Sequence, residues 1–528
     1  MRSFSACAAA LLLAACSGAA SDDASESPAG NGVDASVEGG AADEGSAPAD
    51  AANDAISPAP VRLATGASVS QINVYQGTEI VIVRAGAAAA HASPLVVGRP
   101  ALYRVFVAPV SGFHGNVTAQ LRFEDASNNA LDVLSVTQSI STASTESDVS
   151  STLNFEVPAK DLVLGGKYSV ALSDPSAAAT PDGQPSTARF PQDGSTTAHD
   201  AKVSGLLKIS FVPVLVNGGS APDTSLAQLK LLHDTLFAMY PVTDVQITLH
   251  AVYTDGVTVT RTGGGFNQVL QDISSLRQAD NPPDDVYYWG TFDPEATFDD
   301  FCQGSCMTGV SIIGSATDPI GRVSTGLGYS GSRTATTMAH EVGHAHGRNH
   351  APGCGAGSVD PGFPAAYVIS GPYGNFGSIG LVGYDLVNRL FFQPSTTGDM
   401  MGYCPPTWVS DYTYGALFTR VQTVDGAADI IGGMFSSPQP FRFVSVDGEG
   451  NLHWGRPTTL RRKPSSDPRV VTYDDATGRT LVSTTGYFYE VDHVSGGFLL
   501  VPEGPTGFAT MTVSTLGSRY RATLQKSY

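Results

Sequence analysis

Basic residues are scarce in this sequence, and charged residues of any kind are few. The 528 residues include 29 Lys or Arg against 49 Asp or Glu, which gives a formal net charge of −20. Nucleic-acid binding relies on clustered cations that neutralise phosphates, and the sequence has no basic stripe. We therefore expect no nucleic-acid partner. The length exceeds what one hydrophobic core supports, so several domains are expected.

Long hydrophobic runs are also missing, apart from a short apolar stretch at the N-terminus that cannot span a bilayer. Arg2 precedes this stretch, which ends in Leu-Ala-Ala-Cys16 and resembles the lipobox of bacterial lipoproteins. The resemblance implies cleavage before Cys16, acylation of its thiol and, because Ser17 rather than Asp follows, anchoring to the outer membrane or cell surface. The alternative is an ordinary secretory signal cut after a small residue. In both cases the protein is expected to be exported.

Cysteines number only six. Cys7 belongs to the signal and Cys16 to the proposed anchor. Four remain, and an even number in an oxidising compartment predicts two disulfides. A metal site built from these four is the alternative, but the paired C-x-x-C spacing of such sites is missing. The four are Cys302, Cys306, Cys354 and Cys404.

From residue 17 to 58 the chain contains no Lys or Arg and almost no large apolar side chain. Such a segment cannot bury enough surface to fold, so a disordered acidic linker is expected. It would hold the folded part away from the membrane.

The rest of the chain divides by its hydrophobic pattern. Alternating apolar residues rich in β-branched side chains fill 59–202 and predict a β-sandwich. In 203–422, strand-like runs alternate with helical patterns at 226–237 and 266–276, which predicts an α/β domain. Short strands and turns return in 423–528. The expected fold class is therefore multidomain, with an α/β domain flanked by two all-β, sandwich-like domains.

The most informative segment reads HEVGHAHGRNH from residue 340 to 350. On a helix, His340 and His344 are four residues apart and can bind one cation, while Glu341 lies at the rim of the same face. There Glu341 can act as general base for water on the metal. Gly347 permits a turn that ends the helix and returns His350 as a third ligand. Three imidazoles with one open position are typical of catalytic zinc.

The flanks of this segment support a helix. Residues 335, 338, 342 and 345 are apolar and lie on the face opposite the histidines, where we expect burial. Ser332 or Thr334 could cap the helix start. His346 should point away from the metal, either toward the residues around the ligands or to the surface.

The extended pattern HExxHxxGxxH resembles that of the metzincin clan of zinc peptidases. Metzincins also carry a downstream Met-turn, and this chain has Asp-Met-Met401-Gly-Tyr403 there. The resemblance implies that Met401 lies beneath the metal and that Tyr403 ligates the metal or stabilises the tetrahedral intermediate. A packed core tyrosine is the alternative for Tyr403. The residues matched to the clan lie within 205–422.

Other HExxH peptidases use a later Glu as third ligand, but no Glu occurs between Glu341 and Glu449. Three Asp residues could serve the rarer aspartate variant, although none has a better claim than His350. They are Asp360, Asp385 and Asp399.

The metzincin resemblance also bears on the disulfides. Cys354 follows His350 by four residues, and Cys404 follows Met401 by three. If both the third ligand and the Met-turn lie at one metal, the resemblance implies a Cys354–Cys404 bond. Cys302 and Cys306 are then left to pair with each other.

Two further groups have open interpretations. The acidic residues Asp293, Glu295, Asp299 and Asp300 could bind Ca2+, but they lack a dedicated loop pattern, so a solvated loop is preferred. Aromatic residues of the last domain could form a glycan platform, although packing within strands is more common. These are Trp454, Tyr487 and Tyr489.

The sequence thus predicts a Zn2+-dependent endopeptidase that acts on extracellular proteins or glycoproteins. One alternative is a surface adhesin or glycan-binding lipoprotein with an inactive metzincin-like domain. A second is a zinc hydrolase acting on non-peptide amides.

Overall fold

The structure, a computed structural model, describes residues 62–180, 184–372, 374–426, 433–447, 450–493, 496–515 and 518–523. The signal sequence, Cys16 and the acidic linker lie outside these residues. The described chain is rich in β-structure and is built from several sheets with separate cores. Among its helices, none has the length and hydropathy that crossing a membrane requires.

The N-terminal part consists of strands that alternate buried and exposed side chains. In β5, Val117, Ala119, Leu121 and Phe123 are fully buried, because every second side chain faces the core. The strands are β1 (Ala67–Tyr75), β2 (Gly77–Arg84), β3 (Ala87–Ala88), β4 (Ala101–Pro109), β5 (Gly115–Glu124), β6 (Ala130–Ile140), β7 (Leu153–Val157), β8 (Lys167–Ser173), β9 (Arg189–Phe190) and β10 (Thr197–Ala198).

These strands form two sheets that enclose one core, as expected of a sandwich. One sheet has the order β10-β8-β5-β6, with β9 paired to β8. The other contains β2-β1-β4-β7 and is extended beyond β2 by two strands from later in the chain, described below as β19 and β20. The sandwich therefore includes a hairpin at 383–392, which the division at residue 202 did not anticipate.

The middle part mixes strands and helices. The strands are β11 (Leu206–Leu215), β12 (Asp244–Leu249), β13 (Tyr253–Thr254), β14 (Val286–Phe292), β15 (Gly309–Ser311), β16 (Val323–Leu327), β17 (Val368–Gly371), β18 (Gly374–Gly377), β19 (Gly383–Asp385), β20 (Leu390–Phe392), β21 (Gly398–Asp399) and β22 (Thr407–Trp408). The helices are α1 (Leu226–Met239), α2 (Phe266–Asp280), α3 (Phe298–Cys302), α4 (Ser332–Ala345) and α5 (Asp411–Gly426).

A mostly parallel sheet organises this part, in the order β12-β11-β14-β16-β15, with β13 on β11 and β15 antiparallel at the edge. Its two faces are apolar, so both are covered. Trp289 and the residues on its face pack against α1 and α4. Tyr288, one residue earlier and therefore on the opposite face, packs in the core that contains α2.

The starts of two helices show how local chemistry places them. Ser225 caps α1, accepting a hydrogen bond from the N–H of Gln228. Leu226, although apolar, is 86% exposed because it is the first residue of the helix. The expectation that Ser332 or Thr334 caps α4 is wrong. Ser332 is already the first helical residue, and Gly331 before it offers no side-chain cap.

The C-terminal part is one antiparallel sheet of order β24-β23-β27-β26-β25-β28-β29. Alternate residues of β23 face different cores. Phe441 and Phe443 join the core that contains α2, while Val444 faces a core confined to this part. The strands are β23 (Met434–Val446), β24 (Leu452–Arg462), β25 (Asp467–Asp474), β26 (Thr480–Glu490), β27 (Gly497–Pro502), β28 (Thr510–Thr515) and β29 (Ser518–Thr523).

Candidate metal centre

Helix α4 carries the first two histidines of the motif and places them side by side. Nε2 of His340 lies 3.0 Å from Nε2 of His344, as the four-residue spacing predicts. The opposite face of α4 is buried in the core shared with α1, as expected. Its members are Ala335, Met338, Val342 and Ala345, each no more than 1% exposed.

The chain turns at the end of α4 and brings the third histidine back. Gly347 has a φ of 81°, a backbone conformation that glycine adopts without steric cost, and its N–H donates to the carbonyl of His344. His350 follows three residues later, with Nε2 only 3.1 Å from Nε2 of His344. The turn therefore gathers all three imidazoles at one point.

The hydrogen bonds of the three rings show which nitrogens face that point. Nδ1 of His340 lies 2.7 Å from the carbonyl oxygen of Met400, and Nδ1 of His344 and of His350 lie 2.6 and 2.7 Å from the carbonyl oxygens of Arg348 and Gly357. A carbonyl oxygen only accepts, so Nδ1 carries the hydrogen and donates. In the neutral ring Nε2 then has a free lone pair.

Three lone pairs within about 3 Å repel one another unless a cation lies between them. Burial lowers the pKa of His340 well below its usual value and lowers that of His344 to about 4. The pKa of His350 is lowered for the same reason. The rings are therefore neutral, as metal ligands must be, and this donor set fits a divalent metal such as zinc.

The side chain of Glu341 lies beside the histidines. Its side chain is 1% exposed, and a Cβ on Gly309 of the edge strand β15 would collide with it. Oε1 lies 3.1 Å from Nε2 of His493, and Oε2 makes no hydrogen bond. Burial and the carboxylate of Asp492 raise the pKa of Glu341. A cation nearby would oppose this, because positive charge favours the ionised carboxylate.

The turn at 399–403 is hydrogen-bonded to His340 and to the segment that follows His350. Met400 supplies the carbonyl that receives His340 Nδ1–H. The carbonyl of Met401 accepts a hydrogen bond from the N–H of Ala351, immediately after His350. The Met401 side chain is buried in the same core as α4. Met401 therefore packs against α4, and its place beneath a metal, which the metzincin resemblance implies, stays a prediction.

Tyr403 reaches the centre through its hydroxyl group. The oxygen lies 2.8 Å from Nε2 of His350 and 2.5 Å from Nδ1 of His493. The Tyr403 and His493 rings are nearly parallel, with an interplanar angle of 13°. A hydroxyl directed at the histidine nitrogens distinguishes Tyr403 from a tyrosine that only packs in a core.

Two residues that the sequence motif did not indicate also enter the centre. Asp492 and His493 belong to the C-terminal part, directly after β26. Together with the three motif histidines they form a group whose ligand atoms all lie within 4.8 Å of one another. No spacing relates them to the motif, so a sequence pattern could not have identified them. Sheet pairing between distant parts of the chain brings them here.

Two cavities flank the centre and share a wall. One, of about 660 Å³, is bounded by His350, Tyr403, His493, Met307 and residues of the loop 355–358. The other, of about 290 Å³, is bounded by His340, Glu341, Tyr403 and His493. The stacked side chains of Tyr403 and His493 border both cavities and separate them.

Both expected disulfides are present. Cys354 is joined to Cys404, and this bond connects the segment after His350 to the turn at 399–403. Cys302 is joined to Cys306, which lines the larger cavity. The alternative of a metal site built from the four cysteines is excluded by this pairing.

The three aspartates considered as third ligands have other partners. Asp360 binds Arg348 and the Tyr412 hydroxyl. Asp399 is fully buried and accepts from the N–H of Met401, and Asp385 accepts from the backbone of the turn that follows it.

His346 stays outside the group of three ligand histidines, as expected, but it is not at the surface. It is 4% exposed and stacks on Tyr287. The acidic residues weighed as a Ca2+ site differ in their surroundings. Asp293 is buried and accepts a hydrogen bond from the N–H of Gly328, whereas Asp299 and Asp300 are exposed in the first turn of α3. Within the described residues, Asp299 and Asp300 form no metal-binding cluster with Asp293.

The aromatic residues considered as a glycan platform pack in cores. Tyr489 is 2% exposed and its hydroxyl donates to Asp318, while Trp454 and Tyr487 are half-buried against the cores on the two faces of the C-terminal sheet.

Comparison with known proteins gives no family. No family model and no curated protein matches the chain. A cycloisomaltooligosaccharide glucanotransferase from Paenibacillus sp. matches 42% of this chain at 14% identity and a TM-score of 0.15. A calcium-binding mutant of β-glucuronidase 2 from Bacteroides uniformis matches 43% at 9% identity and a TM-score of 0.13. The chain spans 28% and 23% of these two structures, and at such TM-scores neither match bears on fold or function.

Proposed function

We propose that this protein is a zinc-dependent endopeptidase that hydrolyses peptide bonds of extracellular proteins. The observation that supports the proposal best is the convergence of three neutral imidazoles with Glu341 beside them. His340, His344 and His350 would hold the metal. Bound zinc would supply Lewis acidity, which polarises a carbonyl group and makes water more acidic.

Glu341 could act as the general base of amide hydrolysis, and Tyr403 could stabilise the oxyanion. Glu341 keeps one carboxylate oxygen without a hydrogen bond, and this oxygen could accept the proton of the attacking water and pass it to the leaving amine. The hydroxyl of Tyr403, on the other side of the histidines, can donate a hydrogen bond to the oxygen on which negative charge develops. The two cavities that Tyr403 and His493 both line offer space for the substrate peptide on both sides of the cleaved bond.

The finer fold assignment is part of the same proposal. The metzincin resemblance implies a helix that carries two ligands and a methionine near them, and Met401 packs in the same core as α4. We assign 203–422 as a metzincin-like catalytic domain between a β-sandwich domain at 59–202 and a β domain at 423–528. The hairpin at 383–392 completes the N-terminal sheet, so this sheet extends across the boundary at residue 202.

Export is proposed on the same footing. Two disulfides suit an oxidising compartment, and the N-terminal residues resemble a lipoprotein signal. The mature chain would begin at an acylated Cys16 and reach its protein or glycoprotein substrates from the outer membrane or cell surface.

The proposal is tested with the full mature chain reconstituted with Zn2+. An unbiased peptide mixture, analysed by mass spectrometry, should show internal cleavage that a chelator abolishes and added Zn2+ restores. Stoichiometric zinc with glycan binding but no cleavage would favour the adhesin alternative. Cleavage of non-peptide amides alone would favour the second hydrolase.

A further inference from the structure

A short segment of the C-terminal part pairs with the edge of the middle sheet. Val491 forms an antiparallel bridge with Ile312, just beyond β15. The N–H of Asp492 donates to the carbonyl of Ser311 at 3.1 Å, and the N–H of Ile313 donates to the carbonyl of Glu490 at 3.0 Å. The position of Asp492 is therefore set by sheet hydrogen bonds.

The two carboxylate oxygens of Asp492, which is fully buried, have different surroundings. Oδ1 accepts a hydrogen bond from the N–H of Ser311. Oδ2 faces the histidines, 3.2 Å from Nε2 of His344 and 2.7 Å from Nε2 of His493. Neither contact is aligned as a hydrogen bond. A buried carboxylate oxygen directed at the metal-binding nitrogens is costly unless a cation balances it.

We propose that Asp492 is a fourth protein ligand of the metal in the full-length chain, an inference that rests on the proposed zinc site. With His340, His344 and His350 it would complete four protein ligands, and its carboxylate would occupy the position that catalytic zinc leaves open for water or substrate. For hydrolysis, the Asp492 carboxylate would have to leave this position to water or substrate.

His493 lies beside this carboxylate, with Nε2 2.7 Å from Oδ2 of Asp492. Its Nε2 lies between Oδ2 of Asp492 and Oε1 of Glu341, and its Nδ1 meets the hydroxyl of Tyr403. Both ring nitrogens of His493 thus have partners other than the metal, whereas Oδ2 of Asp492 also lies 3.2 Å from Nε2 of His344. This difference assigns the ligand role to Asp492.

The experiment measures metal binding, independently of hydrolysis. Zn2+ affinity is determined by competition with a chelator of known strength, and Co2+ replaces zinc so that visible absorption reports the ligands. Asp492→Asn is compared with Asp318→Asn. Asp318 is a matched control because it is also buried and also contacts the C-terminal part, accepting from Tyr489 and Ser465, but it is not in the metal-binding group.

Losing a residue that only orients a metal ligand costs roughly 10–100-fold in metal affinity. Because Asp492→Asn removes a ligand itself, we expect it to weaken Zn2+ binding by at least about 100-fold. The Co2+ spectrum should change as well, while Asp318→Asn leaves both unchanged. An unaltered Co2+ spectrum in Asp492→Asn, or equal effects of both variants, would overturn the assignment. Circular dichroism confirms that each variant is folded.

If the proposed zinc site itself is wrong, the metal-binding measurements give a different result. In that case the wild-type chain binds no stoichiometric Zn2+, or His350→Ala binds it as tightly as the wild type. Loss of the Asp492 assignment alone leaves the histidine dependence intact.

Discussion

A Cβ atom on Gly343 would lie only 2.5 Å from Sδ of Met401, so the helix that carries two ligands rests directly on this thioether. Met401 is 1% exposed and belongs to the core shared by α1 and α4. Close packing of this kind makes the methionine a support for the helix that carries His340 and His344.

Replacing Met401 with Ala should therefore destabilise the protein by about 2–5 kcal/mol, because the substitution leaves a cavity beneath α4. Urea unfolding of the full chain measures the loss. Met434→Ala is the control, since Met434 is 52% exposed and should change stability little. Equal stability of the two variants would show that Met401 is not a packing support.

Glu341→Gln should lower peptide hydrolysis by about 10²–10⁴-fold while zinc stays bound, because the base is lost and the ligands remain. Steady-state kinetics and zinc analysis measure the two quantities. Glu490→Gln serves as control, since its side chain is exposed next to the segment that reaches the centre. Activity of Glu341→Gln within tenfold of wild type would contradict the role given to Glu341.

His350→Ala should weaken Zn2+ binding, because one of three converging nitrogens is removed. Competition with a weak chelator should then strip the variant at concentrations that leave the wild type loaded. The control is His453→Ala, whose ring is 63% exposed on the C-terminal part. Unchanged zinc content under competition would point to a different third ligand.

The two disulfides should contribute unequally to stability. The Cys354–Cys404 bond closes a loop with a sequence separation of 50, and its removal should cost about 4 kcal/mol by loop entropy. The Cys302–Cys306 bond has a separation of 4 and should cost about 2 kcal/mol. Paired Cys→Ser variants, unfolded in denaturant, give the comparison. Only the first is expected to weaken Zn2+ binding as well, so equal zinc affinities would contradict its supporting role.

Cys16→Ser should release the protein from membranes into the soluble fraction, since the acylated thiol is lost. Fractionation and mass spectrometry of the mature N-terminus measure the change. Cys7→Ser is the matched control, because Cys7 lies upstream of the expected cleavage and should not affect anchoring. A mature N-terminus that begins after Cys16 without acyl chains would indicate ordinary secretion.

The sequence predicted the elements of the centre that lie close together in the chain. The helix with His340 and His344, the turn at Gly347 and the return of His350 are local, so spacing alone specifies them. The position of Met401 and the pairing of Cys354 with Cys404 came from the metzincin resemblance. Burial on the far face of α4 followed from the apolar period.

The contributions from distant segments could not be predicted in this way. Asp492 and His493 arrive through the pairing of Val491 with Ile312, and no local pattern encodes which strand edge a segment will join. The same reason hides the hairpin at 383–392 that completes the N-terminal sheet. The predicted side-chain cap of α4 was wrong for a different reason. The residue before the helix is Gly331, which has no side chain, and the helix begins at Ser332 itself, one residue sooner than a Ser332 cap requires.

The pairing of the segment 490–492 with the edge of the middle sheet also affects how the chain folds. His493 and Glu341 are 152 residues apart, so their contact is strongly non-local and forms late. During synthesis, β15 and α4 emerge before the strand that covers them, and domains generally fold from the N-terminus onward. A chain that ends before residue 490 therefore keeps an uncovered strand edge beside an incomplete ligand set. Uncovered edges pair with other chains, which makes such a fragment prone to aggregation.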